Sequence, residues 1–355
     1  MKPLNSHPLI DKRPRMPPNS RLRTGKIPHD TLKRYVLNHL GAPSDRVIRG
    51  AAVGEDAPII DMGSKVLVAK ANPITGADGN IGRLVVHINA NDVAARGAKP
   101  LWFMNTILLP EGATESRLEI IMEEIDRACK ELNVQLIGGH TECVAGLDKP
   151  IIAGFMMGEA PKNRYVTTGG AKPGDKIILT KTVGLEGTSI LASDLEQKLR
   201  RKIDPRTLQR ARKMIEVVSV VPEALKAVEV GGIHSMHTPT EGGILNGLYE
   251  MGVAAGVGLS VDENLIPVAP ETAIIAETLG VDPLKLLSSG ALLLAVDDAS
   301  AKKVLEALER INVQASIIGE VKERAEGRVL TRSDGSQKTI DPVRQDELFR
   351  ILGEG

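Results

Sequence analysis

Asp92 stands where the local pattern asks for an apolar residue. In the segment 81–95 an apolar stripe runs through Ile81, Leu84, Val85 and Ile88, and the next positions on it are Asn91 and Asp92. A carboxylate there needs a partner, because burying a bare charge is costly. A metal ion or a capping interaction would supply one; the competing reading puts Asn91-Asp92 at a fraying helix end that faces water. Gly54-Glu55-Asp56-Ala57 places two further carboxylates in a turn before a strand. Gly138-Gly139-His140-Thr141-Glu142 follows a short strand, and its paired glycines would let backbone approach a ligand. His237-Thr238-Pro239-Thr240-Glu241-Gly242-Gly243 leads into a helix, with Thr240 as the expected N-cap. Gly184-Leu185-Glu186-Gly187-Thr188 repeats that arrangement. Free N–H groups at such helix starts bind phosphate, and Mg²⁺ is commonly held by one or two carboxylates plus phosphate oxygens. The combination suggests a carboxylate-held Mg²⁺ and a polyphosphate.

The familiar alternatives are missing. There is no G-x-x-x-x-G-K-[ST] loop, no G-x-G-x-x-G after a strand, no H-E-x-x-H and no G-x-S-x-G. Lys and Arg number 45 against 45 Asp and Glu, so no positive excess argues for nucleic acid or an acidic membrane as partner. Aromatics are only 2%, too few for base stacking along a single strand. No apolar run approaches the ~18 residues of a membrane span. The first residues lack the apolar core of a secretory signal, and two cysteines make no disulfide framework. A cytoplasmic setting is expected. Cys129 falls on an apolar helical stripe and reads as a core residue; Cys143, with no basic neighbour, reads as unreactive.

These residues need elements to position them. Residues 1–24, basic and rich in Pro, read as a flexible tail. A short helix over 28–40 follows, then strands 58–61 and 65–71, a helix 81–95, a strand 101–109, an amphipathic helix 115–132, and strands 134–137 and 151–158. Residues 165–175 read as a junction. Beyond it lie a strand 176–181, helices within 187–228, a helix 241–255, and a strand 258–261. Helices 270–279 and 300–311 then flank a strand 291–296, and a strand 313–321 ends the series. The expectation is an α+β chain of two halves, 25–164 and 165–355.

In this order the motifs resemble the aminoimidazole ribonucleotide synthetase superfamily, and within it the hydrogenase-maturation factor HypE branch. The resemblance rests on Gly25-Lys26-Ile27-Pro28, Gly54-Glu55-Asp56-Ala57, Asn91-Asp92-Val93-Ala94 with Gly97-Ala98, Gly138-Gly139-His140-Thr141, Pro173-Gly174-Asp175, and His237 with Gly242-Gly243. It spans roughly residues 25–350. It implies a two-domain PurM-like fold: an N-terminal domain that contributes to the β-barrel of a homodimer and binds ATP–Mg²⁺, and a C-terminal α/β sandwich. It further implies phosphorylation of an acceptor oxygen, on a small molecule or a protein. By this match Asp56 and Asp92 hold Mg²⁺. Asn72, Asn91, Gly138, Gly139, Thr141, Gly242 and Gly243 join Asp56 in binding the nucleotide, and Asp92, His140 and Glu142 act at the reacting atoms.

Several positions depart from the pattern. Relatives often carry Thr-Thr-Asp where this chain has Ala71-Asn72-Pro73, so one metal ligand becomes a neutral amide. Asn-Glu-Gly is replaced near Ser288-Ser289-Gly290, His-Asp is His237-Thr238, and the Arg that follows is Glu241. HypE ends in Pro-Arg-Ile-Cys, whereas this sequence ends Arg350-Ile351-Leu352-Gly353-Glu354-Gly355. The expectation is therefore a HypE-like ATP-dependent enzyme that does not build a thiocyanate on its own tail. A small-molecule kinase of the thiamine-monophosphate kinase type and a nucleotide-binding scaffold without catalysis are the alternatives.

Overall fold

The computed structural model describes residues 25–75, 77 and 79–353; the segment read as a tail, 1–24, lies outside them. The N-terminal half is built on a six-stranded sheet of order β1-β2-β3-β6-β4-β5. Its strands are β1 (Val47–Arg49), β2 (Ile59–Asp61), β3 (Lys65–Ile74), β4 (Lys99–Pro110), β5 (Gln135–Val144) and β6 (Ile151–Pro161). All neighbours are antiparallel except β4 and β5. The sheet is open, with β1 and β5 at its edges.

Helix α1 (His29–Tyr35) precedes the sheet; α2 (Ile81–Ala94) and α3 (Glu115–Leu132) belong to it. Every residue of α2 except Arg83 is buried, as befits a helix packed on all sides. Helix α3 is amphipathic, with Ile121, Ile125, Ala128 and Cys129 inward. Thr114 caps its start by accepting from the Arg117 N–H, and Asn133 ends it in the left-handed conformation.

Strand β5 runs on past its expected end at 137. Gly138-Gly139 lies inside a continuous strand, with Gly139 opposite Asn105 of β4. A Cβ on Gly139 would come within 2.7 Å of Asn105 Oδ1. The glycine is there to let two strands pair closely, not to turn the chain.

The C-terminal half carries a seven-stranded sheet of order β13-β12-β9-β11-β7-β10-β8. These strands are β7 (Lys176–Thr180), β8 (Ile233–His237), β9 (Gly258–Asp262), β10 (Leu293–Val296), β11 (Ala315–Lys322), β12 (Arg328–Thr331) and β13 (Gln337–Thr339). Its helices are α4 (Leu185–Asp194), α5 (Glu196–Leu199), α6 (Pro205–Lys213), α7 (Val221–Val230), α8 (Gly243–Ala255), α9 (Pro270–Leu279), α10 (Asp298–Glu309) and α11 (Glu347–Gly353). Strands β8, β12 and β13 and helix α11 escape the sequence reading. β12 and β13 are short and polar, and β8 holds two His and a Ser among its five residues, so none shows the apolar run that betrays a strand.

The start of α8 also differs from expectation. Thr240 does not cap it; Gly242 occupies the N-cap position with no side-chain cap of its own. The Gly242 N–H donates instead to Asp346 Oδ2 at 2.6 Å, from the segment leading into α11.

Candidate active site

A cleft of about 370 Å³ opens between the two halves. The N-terminal half lines it with Asp56, Lys70, Asn72 and Asp92; the C-terminal half adds Glu186, His237, Thr238, Glu241, Glu250 and Ser289. Lys26 and His29 also line it.

Asp56 reaches the cleft from the turn before β2. Gly54 makes that turn possible: its φ is +84°, and a Cβ there would stand 2.7 Å from the Glu250 carbonyl of α8. Asp56 Oδ1 lies 2.7 Å from His237 Nδ1, and Oδ2 accepts from Arg96 Nη2 at 2.9 Å and the Thr238 N–H at 3.2 Å. Burial alone would raise the Asp56 carboxyl, but His237 and Arg96 outweigh it and hold the group at about 2. Burial likewise works against a charged His237, yet Asp56 and Glu250 lift it to about 9. His237 Nε2 lies 2.9 Å from Glu250 Oε2, whose other oxygen receives Lys26 Nζ at 2.8 Å and His29 Nε2 at 3.0 Å. Burial pushes Glu250 up, but Lys26 and both histidines bring it well below the usual carboxylate range.

Asp92 is 3% exposed, so the fraying-end reading is set aside. Its Oδ1 accepts from Thr238 Oγ1 at 2.6 Å; its Oδ2 accepts from Asn72 Nδ2 at 2.8 Å and lies 2.9 Å from Lys70 Nζ. Thr238 thus links Asp56 and Asp92, backbone to one and hydroxyl to the other. Lys70 does the same, its ammonium also donating to the Asp56 carbonyl at 2.6 Å.

The other residues singled out in the sequence are distributed differently. Asn91 faces away from the cleft and clips the following half: its Nδ2 donates to the Val218 carbonyl and its Oδ1 accepts from the Val220 N–H. Gly138, Gly139, His140, Thr141 and Glu142 lie on β5, at the sheet edge, and do not line the cleft. There His140 Nε2 stands 3.3 Å from Glu142 Oε2, both side chains more than half exposed. Gly242 and Gly243 do open α8, but the Gly242 N–H is occupied by Asp346. Asp346 also accepts from the N–H groups of Leu287 and Leu348, and burial nonetheless raises its carboxyl to about 7.

Several participants escape the sequence reading, among them His29, Lys70, Arg96, Glu250 and Asp346. Arg96 is fully buried and joins Glu55, Asp56, Thr168 and the Met236 carbonyl. A signal exists for Lys70. The inward positions of β3 run Val66, Val68, Lys70 and Asn72, so strand alternation itself aims Lys70 toward α2.

Residues 54–160 match the model for the AIR synthase related protein, N-terminal domain, and residues 172–332 that for its C-terminal domain. A putative hydrogenase expression/formation protein of Methanocaldococcus jannaschii is 30% identical over 338 residues, 92% of this chain and 97% of that one. The chain belongs to the AIR synthase-related family. Within this AIR synthase-related family its relatives are of the HypE type: the carbamoyl dehydratase HypE of Cupriavidus necator is 32% identical over 287 residues, 79% of each chain. The fold is that of HypE, a two-domain PurM-like architecture. A crystal structure of the hydrogenase maturation protein HypE in complex with ATP superposes with a TM-score of 0.70 at 24% identity, covering 92% of this chain and 97% of that one.

Whether this AIR synthase-related chain suits a divalent ion can be tested on its own donor set. Among the described residues no group of three or more His, Cys, Asp or Glu side chains is disposed to hold a metal. All four oxygens of Asp56 and Asp92 already face protein donors, three of them cationic. As arranged, the pair does not fit a directly ligated Mg²⁺.

One carboxyl in the cleft is differently placed. Glu186, at the start of α4, is buried, and burial raises it to about 7 despite its hydrogen bond with Ser289. Neither cysteine lies at the cleft: Cys129 is buried in α3, its thiol pushed by burial to about 11, and Cys143 is exposed on β5.

Proposed function

We propose that this chain is an ATP-dependent phosphoryl-transfer enzyme of the HypE type, activating an acceptor oxygen on a small molecule or protein. The observation that carries the reading is Thr238 tying Asp56 and Asp92, from separate parts of the N-terminal half, to one cleft against the C-terminal half. The relative crystallised with ATP supports the nucleotide. Phosphoryl transfer asks mainly for positioning and charge neutralisation, which the alternating charges of this cleft provide. Asp56 and Asp92, each engaged by protein donors, serve in this reading to fix the cleft's charges rather than as metal ligands. Glu186, titrating near neutrality beside Ser289, is placed to exchange a proton with the acceptor.

A homodimer belongs to this reading. The outer face of the N-terminal sheet shows Met104 opposite Phe155, both exposed, with Ile137 exposed on the neighbouring strand β5. Pairing of two such sheets would cover these side chains and give the β5 residues His140, Thr141 and Glu142 a second copy to face. Light scattering on the purified chain tests this, with a monomer at micromolar concentration as the refuting result.

The direct test of function is binding and turnover of ATP with amide- and phosphate-bearing acceptors. Asp92→Ala should abolish turnover; a chain that ignores ATP at millimolar concentration ends the reading. A second reading is favoured by Asn72, Thr238 and Ser289, each a neutral group in place of a charged one in the family pattern that the sequence resembles. It is a scaffold that binds nucleotide without using it, and tight ATP binding with no phosphate release under any acceptor would select it.

A further inference from the structure

The side chains around Asp56 form a connected series of alternating sign. Glu55 meets Arg96 at 2.8 Å, Arg96 meets Asp56, Asp56 meets His237, His237 meets Glu250, and Glu250 meets Lys26. Lys70 joins Asp92 to the same series through the Asp56 carbonyl. Glu55 also stands 3.5 Å from Arg49, so each carboxylate of the series faces at least one protein cation. A divalent cation at Asp92 would have to sit against the Lys70 ammonium.

The neighbourhood of Lys70 is built to keep it there. Asn72 orients its amide so that Nδ2 donates to the same Asp92 oxygen that Lys70 meets. The backbone of Asn72 is clamped to α2 on both sides: its N–H donates to Asn89 Oδ1 and its carbonyl accepts from Asn89 Nδ2. An ammonium has three N–H donors. Two are spent, on the Asp56 carbonyl and on Asp92, and Lys70 lines the cleft with its side chain 20% exposed.

We propose that Lys70 is the resident cation of this cleft, occupying the side of Asp92 that a divalent ion would need and presenting its remaining N–H to an anionic phosphate group of the ligand. The phosphate half of this statement rests on the ATP reading; the exclusion of a metal does not.

Two measurements on the full chain separate them. Mn²⁺ binding, followed by electron paramagnetic resonance without nucleotide, should show no site in the wild-type protein up to millimolar concentration. Lys70→Thr combined with Asn72→Asp should create one at least tenfold tighter. Lys70→Arg keeps the charge and should still exclude Mn²⁺, and the thermal melt of the double variant shows that it is folded; a folded double variant without a Mn²⁺ site overturns the assignment. Pyrophosphate binding in excess EDTA, read by calorimetry, should persist in the wild type and weaken at least tenfold in Lys70→Met. Wild-type protein that takes Mn²⁺ as tightly as the double variant overturns the assignment of Lys70 even if ATP binds. Pyrophosphate binding that vanishes with EDTA overturns its phosphate role. A chain that excludes Mn²⁺ yet ignores ATP keeps Lys70 as resident cation and removes the ATP reading instead.

Discussion

The hydroxyl of Thr238 donates a 2.6 Å hydrogen bond to Asp92 Oδ1 from a position 146 residues away in the chain. Both groups are buried, so this bond ties the two halves of the molecule together inside the cleft rather than at its rim. Thr238→Val keeps the shape and removes the donor. It should destabilise the fold by about 1–3 kcal/mol, the cost of leaving a buried acceptor short of its partner. It should also weaken nucleotide binding, because Asp92 loses its fixed orientation. Urea denaturation and ATP titration of the same variant check both effects; a variant as stable as the wild type would mean that water replaces the hydroxyl.

The pairing of His237 with Asp56 and Glu250 gives stability a definite pH dependence. His237 rises from 6.5 to about 9 on folding. Its contribution is therefore complete below about pH 6.5 and is lost as pH climbs through about 9. Asp56 falls from 3.8 to about 2, so its contribution is present above about pH 4 and fades as pH drops through about 2. In melting temperature, the part of the stability that these two groups supply should be flat between these limits, and the His237 part should decline from pH 7 to 9.5. In His237→Gln the alkaline decline should be reduced, although the whole curve lies lower.

Glu186 behaves in the opposite sense. Its carboxyl is raised from 4.5 to about 7 by burial, so folding favours the neutral acid, a contribution complete below about pH 4.5 and lost as pH climbs through about 7. Glu186→Gln should raise the melting temperature at pH 8 and leave it nearly unchanged at pH 4.5. If Glu186 exchanges a proton with the acceptor, the same variant should lose about a hundredfold in turnover. Stabilisation without loss of turnover would assign it a purely structural place.

Asp346 closes the start of α8 from the far end of the chain, accepting from the N–H groups of Gly242, Leu287 and Leu348. Asp346→Ala leaves three buried donors unmet and should cost about 2 kcal/mol. Asp346→Asn removes the buried charge but keeps only one accepting oxygen, so either the Gly242 N–H or the Leu287 and Leu348 N–H groups lose their acceptor; that variant should fall between wild type and Asp346→Ala at pH 8. Thermal melts of the two variants side by side distinguish loss of the cap from relief of the charge.

Much of the architecture is legible locally. Helices α3 and α9 have the bounds that apolar periodicity and caps suggest, and α2 ends within a residue of them. These elements carry their own signals: a 3.6-residue stripe, a Thr or Pro at the start, an Asn or Gly at the end. The stripe also foretold that Asp92 would be buried if α2 did not fray. It could not say by what it would be met. Strand β5 and the start of α8 differ from expectation for a related reason, since glycines at 138, 139, 242 and 243 look alike in a sequence whether they turn a chain, pack against Asn105 or meet the Asp346 carboxylate.

The amino-acid order by itself determined the periodic elements, the succession of acidic and glycine-rich turns, and through them the family. Only the tertiary structure decided that Asp56 and Asp92 share a cleft, that Lys70 and Thr238 both bridge them, and that the β5 motif lies at a sheet edge. The physical reason is that hydrophobic periodicity is written in neighbouring residues, whereas the partner of a buried charge is whichever group the fold brings within about 3 Å, however distant in the chain.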